Sequence, residues 1–96
     1  MPAVRMRPGD VYKRQVIQND KEIALTNKEY DLLLYLIQNK NIALYRETLY
    51  EKVWQEDCMD ATRTLDLHIQ RLRKKLHWQK YIKTVFKIGY RLEADI

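Results

Sequence analysis

The chain has 96 residues, of which 46% are hydrophobic and 10% are aromatic, enough for one compact domain with a single core. This composition argues against a disordered chain, and the single cysteine argues against a disulfide framework. No apolar run is long enough for a transmembrane helix, and the N-terminus lacks the layout of a secretory signal. We therefore expect one domain over residues 1–96 in a reducing, cytoplasmic setting, with no membrane contact.

The net charge of +5 is distributed unevenly along the chain. Between Thr62 and Glu93, nine lysines and arginines accompany two acidic residues, which gives +7, whereas the rest of the chain sums to −2. A basic segment of this kind is either a solvated surface or a binding site for a polyanion. Composition leaves both interpretations open.

Residues 1–25 predict short strands, because isolated apolar residues stand among polar neighbours. Asn19-Asp20-Lys21 is a plausible turn between two of these strands. The apolar positions are Val11, Val16, Ile17, Ile23 and Leu25.

A first helix is predicted from Thr26 to about Asn39. Thr26 and Glu29 have the spacing of a capping box, and Leu25 and Tyr30 are placed as a hydrophobic staple. The positions expected to face the core are Tyr30, Leu33, Leu34 and Ile37.

A second, shorter helix is predicted over Arg46 to Trp54, after a brief extended piece at Ile42 to Leu44. The polar stretch from Gln55 to Asp60 ends its pattern. The positions expected on its core side are Leu49, Tyr50 and Val53.

The third helix, Thr62 to Leu76, separates into two opposed faces at 100° per residue. Its core stripe is Leu65, Ile69, Leu72 and Leu76, and its opposite face carries Arg63, Thr64, Leu67, Gln70, Arg71 and Lys74. Leu67 lies at the centre of the cationic arc, where it suits contact with a thymine methyl group or is an ordinary exposed leucine. Arg73 lies off the arc and favours a phosphate or an intramolecular partner, and Asp66 is expected to orient Arg63 or Gln70.

A C-terminal hairpin is predicted from two alternating segments, Tyr81 to Val85 and Gly89 to Leu92, separated by Phe86-Lys87-Ile88. The expected layout is strands over 1–25, three helices over 26–80 and the hairpin over 81–93.

Catalytic and metal-binding patterns are poorly supported. His68 and His77 have no cysteine or carboxylate at ligand spacing, the chain has no serine, and Cys58 has no histidine nearby in sequence. We expect no enzyme activity, no metal and no cofactor. Trp54 and Trp78, at helix ends near apolar stripes, are interpreted as covers of the core.

The continuous segment from Arg63 to Leu76, followed by Thr84-Val85 and Gly89-Tyr90-Arg91, resembles the winged-helix effector domain of OmpR/PhoB-type bacterial response regulators. Supporting matches are Leu25-Thr26 with Glu29, Leu32 and Leu33, then Arg46-Glu47 with Leu49, and Val53-Trp54. The resemblance covers almost the whole chain. It implies an α+β winged helix-turn-helix fold: an N-terminal antiparallel sheet, a three-helix core and a C-terminal hairpin wing.

The resemblance also implies sequence-specific binding of double-stranded DNA by a transcription regulator of a two-component system, with the third helix in the major groove and the wing near the minor groove. The implied DNA contacts are Arg63, Thr64, Leu67, His68, Gln70, Arg71, Lys74, Lys75, Thr84, Lys87 and Arg91. Gln70 stands where the family often has a cation, which favours adenine at that contact. Arg71 is expected to read bases and Lys75 to contact phosphate.

Further partners follow from the same resemblance. Gln55, Glu56 and Asp57 correspond to the segment that contacts RNA polymerase in activators, with a solvated linker as the alternative. Two copies are expected to bind direct-repeat half-sites about 10–11 base pairs apart. A winged helix that docks an acidic protein partner through its basic face is the alternative function.

The sequence departs from the family pattern at two places. Phe86 replaces the usual wing arginine and one wing glycine is missing, so Lys87 is expected to supply the wing cation. Tyr45 replaces a small capping residue, so we expect the second helix to begin less firmly. The 96 residues contain no receiver domain with its phosphorylated aspartate, which fits either an output half or a free-standing regulator.

Overall fold

The computed structural model describes residues 4–7, 14–59 and 61–93. In chain order its elements are β1 Val4–Arg7, β2 Arg14–Gln18, β3 Lys21–Leu25, α1 Asn27–Gln38, β4 Leu44–Tyr45, α2 Arg46–Trp54, α3 Thr62–Leu76, β5 Ile82–Val85 and β6 Gly89–Leu92. Val11, predicted in a strand, and Asp60, predicted in the loop after α2, lie outside the described residues.

The N-terminal sheet is antiparallel in the order β1-β2-β3. β2 and β3 are joined by the predicted turn, in which Asn19 and Asp20 both have positive φ, at 53° and 64°. Asn and Asp tolerate this conformation better than other non-glycine residues, which explains why the turn forms at this point. Val16 is completely buried and joins the sheet to the common core.

α1 begins at the predicted capping box. The Thr26 hydroxyl accepts a hydrogen bond from the Glu29 N–H at 3.2 Å, and the Glu29 carboxylate accepts one from the Thr26 N–H at 2.9 Å. The buried apolar residues of α1 are Tyr30, Leu32, Leu33 and Leu36. Leu34 and Ile37, predicted to face the core, are only half-buried, because α1 packs at once against α2, α3 and the N-terminal strands and its buried arc turns toward Leu32 and Leu36.

α2 and α3 have the predicted bounds, and each buries the predicted positions. Leu65, Ile69, Leu72 and Leu76 of α3 are at most 1% exposed. Tyr45, which stands where the family has a small capping residue, is the N-cap of α2 and makes no side-chain capping hydrogen bond. The predicted extended piece before α2 is β4, which begins two residues later and ends one residue later than expected.

The wing is the second sheet, antiparallel in the order β4-β6-β5. Its turn is closed by a hydrogen bond from the Ile88 N–H to the Val85 carbonyl at 3.0 Å, and Lys87 occupies it with φ at 64°. At Gly89 a β-carbon would lie 2.3 Å from the Leu44 carbonyl oxygen, so only glycine allows β6 to approach β4 this closely.

The two tryptophans lie at the core as predicted: Trp78 is 1% exposed, and Trp54 is half-buried against the core. In the described part of the chain, no helix is both long and apolar enough to traverse a bilayer.

Candidate nucleic-acid interface

One face of α3 is exposed and cationic. Arg63, Leu67, Gln70, Arg71 and Lys74 are all exposed, and Leu67 is 53% exposed. Because they recur every three or four residues, these side chains share one side of the helix. Thr64, on the same face, is half-buried. The predicted arc therefore exists opposite the buried stripe.

The polar members of this arc are free to meet a ligand. Within the described residues, Arg63, Gln70, Arg71 and Lys74 make no side-chain hydrogen bond or ion pair. A long cationic side chain without an intramolecular partner keeps its charge available for phosphate or base edges.

His68 lies at the border of the arc and is partly used by the protein itself. Its Nδ1 is 2.8 Å from the Thr64 carbonyl oxygen, so this nitrogen carries the hydrogen and donates it. Its ring meets Trp54 edge-on, with the ring centroids 4.9 Å apart. These contacts fix the ring against α2 and leave only part of it exposed.

The helical spacing predicted that Asp66 orients Arg63 or Gln70, and this prediction is wrong. Its carboxylate accepts two hydrogen bonds from the Arg46 guanidinium, one of them from Nε at 3.2 Å, and one from the Tyr90 hydroxyl at 2.6 Å. The two partners come from α2 and β6, and no local sequence rule brings them to α3. Burial, followed by the hydrogen bond to Asp66, raises the pKa of Tyr90 to about 12.

Of the two roles that its position off the arc favoured, a phosphate contact or an intramolecular partner, Arg73 has an intramolecular one in the structure. Its Nε donates to the Ile82 carbonyl at 3.0 Å, and a terminal nitrogen donates to the Thr84 hydroxyl at 2.9 Å. Its guanidinium also lies 5.4 Å from the centroid of the Tyr90 ring. The hydroxyl of Thr84, a predicted DNA contact, therefore already accepts a hydrogen bond from α3.

Lys75, predicted to contact phosphate, is paired within the protein. Its ammonium lies 2.6 Å from the Glu29 carboxylate and 3.2 Å from the Ala24 carbonyl. Glu29 is completely buried, and a buried carboxylate needs a paired cation. Burial raises the pKa of Glu29, but the hydrogen bonds from Lys75 and from the Thr26 N–H outweigh it, and the pKa lies below its ordinary value.

The wing presents two further predicted contacts. Lys87 is exposed at the turn with its ammonium 5.5 Å from the Phe86 ring centroid, and Phe86 is 83% exposed. Arg91 pairs with Glu93 at 2.6 Å, which offsets part of its charge. An open groove of about 400 Å³ is lined by the wing turn, the start of α2 and Asp66.

The loop predicted to contact polymerase is exposed. Gln55 ends α2 in the left-handed conformation, and Glu56 and Asp57 follow it. The Glu56 carboxylate accepts a hydrogen bond from the Tyr50 hydroxyl, which raises the pKa of Tyr50 to about 12. Of the two acidic side chains, Asp57 is the one without a hydrogen bond to another described residue.

Sequence reasoning missed Arg46, Tyr90 and Glu29 as partners of α3. One signal was present: Asp66 is the only acidic residue in a helix with five arginines and lysines, so a cation from elsewhere was to be expected beside it. Among the described residues, no three histidines, cysteines or carboxylates come close enough together to hold a metal ion.

A three-helix core, a hairpin wing and a cationic face on α3 that is unpaired within the described part of the chain define a winged-helix DNA-binding domain. Residues 20–92 match the family described as "Transcriptional regulatory protein, C terminal", and the chain belongs to this family. The resemblance to OmpR/PhoB-type response regulators is thereby confirmed, as is the winged-helix fold.

Three similar proteins illustrate the relationship. The regulatory protein VanRc of Enterococcus gallinarum is 41% identical over 87 residues, which are 86% of this chain and 38% of VanRc. The DNA-binding domain of Bacillus subtilis CssR is 34% identical with a TM-score of 0.76, covering 91% of this chain and 98% of that domain. The Klebsiella pneumoniae RstA DNA-binding domain, solved in complex with the RstA box, is 31% identical with a TM-score of 0.74. The match covers 88% of this chain and 87% of that domain. The chain thus spans about two-fifths of VanRc, but nearly the whole of the solved domains.

Proposed function

We propose that this domain recognises one double-stranded DNA sequence with α3 in the major groove and the wing hairpin beside the minor groove. The observation that carries the proposal is the exposed arc of α3, whose cations have no partner among the described residues. The DNA complex formed by the similar RstA domain supports the same choice of ligand.

Within the arc the residue types suit different contacts. Arg71 is assigned to a base edge, Gln70 to adenine and Leu67 to a thymine methyl group. The remaining DNA contacts are assigned to phosphate or sugar, from Arg63, Thr64, His68 and Lys74 on α3 and from Thr84, Lys87 and Arg91 on the wing. Lys75 is left out because Glu29 holds its ammonium.

Two larger assemblies belong to the same proposal. A pair of domains in tandem on direct repeats about one helical turn apart would place α3 of each copy in successive major grooves. Asp57 and Gln55, exposed in the loop after α2, would contact RNA polymerase, with Glu56 contributing less because Tyr50 already binds it. We assign the domain a cytoplasmic regulatory role through binding rather than catalysis.

The test is selection of duplexes from a random DNA pool with the purified chain, followed by affinity measurements at several salt concentrations. We expect one sequence to be enriched, and its affinity to fall roughly 10²–10³-fold between about 50 and 200 mM salt if about five phosphates are contacted. Enrichment of no sequence, together with capture of the chain by an acidic polypeptide, would favour a protein-docking module instead.

A further inference from the structure

We infer that Arg46, Asp66, Arg73, Thr84 and Tyr90 form a clasp that sets the position of the wing relative to α3, so that both reach DNA together. None of the predicted base readers belongs to this clasp. The inference rests on the proposed DNA contacts of α3 and the wing, and assigns four additional residues to positioning, with Thr84 as a shared member.

The first half of the clasp is centred on Asp66. Its carboxylate joins α3 to the first residue of α2 through Arg46 and to β6 through the Tyr90 hydroxyl. The backbone N–H of Arg46 also donates to the Ile88 carbonyl in the wing turn at 3.2 Å. One carboxylate thus ties together three elements whose relative positions local structure does not determine.

The second half lies two turns further along the same flank of α3. Positions 66 and 73 differ by seven residues and therefore lie nearly one above the other. Arg73 bonds to the backbone of Ile82 and the side chain of Thr84 on β5. The ring of Tyr90 lies between the halves: its hydroxyl reaches Asp66, and its face lies 5.4 Å from the Arg73 guanidinium.

The composition of the clasp suits a site beside DNA. A lone carboxylate on a recognition helix would repel phosphate, but Arg46 balances its charge and directs it away from the arc. Hydrogen bonds to charged groups are also directional, so they constrain the angle of the hairpin more strongly than apolar packing does. A major-groove helix and a minor-groove wing bind together only if that angle matches the duplex.

The experiment is a double-mutant cycle on the duplex recovered from the random pool, with the complete 96-residue chain. Asp66→Asn removes the ion pair, Lys87→Ala removes the wing contact, and the double variant combines them. We expect Asp66→Asn to lower affinity about tenfold alone but less than about twofold in the Lys87→Ala background, since a misplaced wing has no contact left to lose. Hydroxyl-radical protection should fall in the minor groove only, while discrimination against base changes under α3 is retained.

Two control variants accompany the cycle. Glu51→Gln removes the same charge from an exposed position of α2 outside the clasp, and should change affinity less than about twofold. Tyr90→Phe keeps the ring and deletes only the hydroxyl, so it reports on the clasp if Asp66→Asn fails to fold. Equal losses from Asp66→Asn with and without Lys87 would overturn the clasp and leave DNA binding intact. A Lys87→Ala variant that binds like the original would instead show that the wing contact is wrong, and the clasp with it.

Discussion

The exposed arc of α3 and the two sides of the helix beside it both carry arginine and lysine, but these cations have different roles. Arg71 and Lys74 are exposed and unpaired within the described residues, whereas Arg73 and Lys75, one or two positions away in sequence, are held by the wing and by Glu29. A step of one residue turns a side chain by about 100° around the helix. Position on the circumference, rather than charge, therefore separates the predicted DNA contacts from the structural cations.

The largest expected effect is a difference in the free energy of unfolding between a Lys75 variant and the matched Lys74 variant. Lys75→Met leaves a buried carboxylate without its cation and should lower the free energy of unfolding by about 2–3 kcal/mol. The matched change Lys74→Met should alter it by less than about 0.5 kcal/mol, because Lys74 is exposed. Urea unfolding of both variants measures the difference.

The double variant Lys75→Met with Glu29→Gln should recover part of the lost stability, because a neutral glutamine still accepts the Thr26 N–H and needs no cation. If Lys75→Met is as stable as the original chain and loses affinity for every duplex alike, Lys75 contacts phosphate after all.

Arg71 and Arg73 provide a second contrast. Arg71→Ala should weaken binding to the selected duplex by about 1–3 kcal/mol and reduce base discrimination, with unfolding changed by less than about 0.5 kcal/mol. Arg73→Ala should instead lower the free energy of unfolding by about 1–2 kcal/mol, because it loses two hydrogen bonds to β5. Titration with the selected duplex and one mismatched duplex, beside thermal melting, tests both. A stability loss for Arg71 equal to that for Arg73 would contradict the division.

Acidification tests the buried pair. The pKa of Glu29 in the folded chain lies below its ordinary value of 4.5, so ionised Glu29 stabilises the fold above that pH, and this contribution is lost as the pH falls through the folded-state pKa. The advantage of the original chain over Glu29→Gln should therefore shrink on acidification from about pH 7 to below pH 4. Unfolding curves at both pH values measure it, and a constant difference would show that the charge of Glu29 is immaterial.

The smallest effect is expected at the wing turn. Lys87 has φ at 64°, a conformation that costs a non-glycine residue about 1 kcal/mol, so Lys87→Gly should stabilise the chain by about that amount. The same change removes an exposed cation and should weaken DNA binding a few-fold. The melting temperature should therefore rise while the affinity for the selected duplex falls. A variant that gains stability and keeps full affinity would show that Lys87 is not a DNA contact.

Local patterns could be read ahead of the structure because their causes are local. The capping box at Thr26, the turn at Asn19 and the buried stripe of α3 each depend on residues at most four positions apart. The predicted buried face of α1 was partly wrong, because Leu36 is buried and Ile37 is only half-buried. Several elements cover this helix, and periodicity does not indicate from which sides they pack.

Amino-acid order by itself determined the limits of α2 and α3, the segregation of charge and the arc of α3, since hydrophobic periodicity and capping act within a few turns. Tertiary structure alone decided which of those charges remain free. Asp66 meets Tyr90 across 24 positions and Lys75 meets Glu29 across 46, and pairs so far apart in sequence form only when folding brings their elements together. That is why the exposed face of α3 was predictable from the sequence, whereas the partner of each of its cations was not.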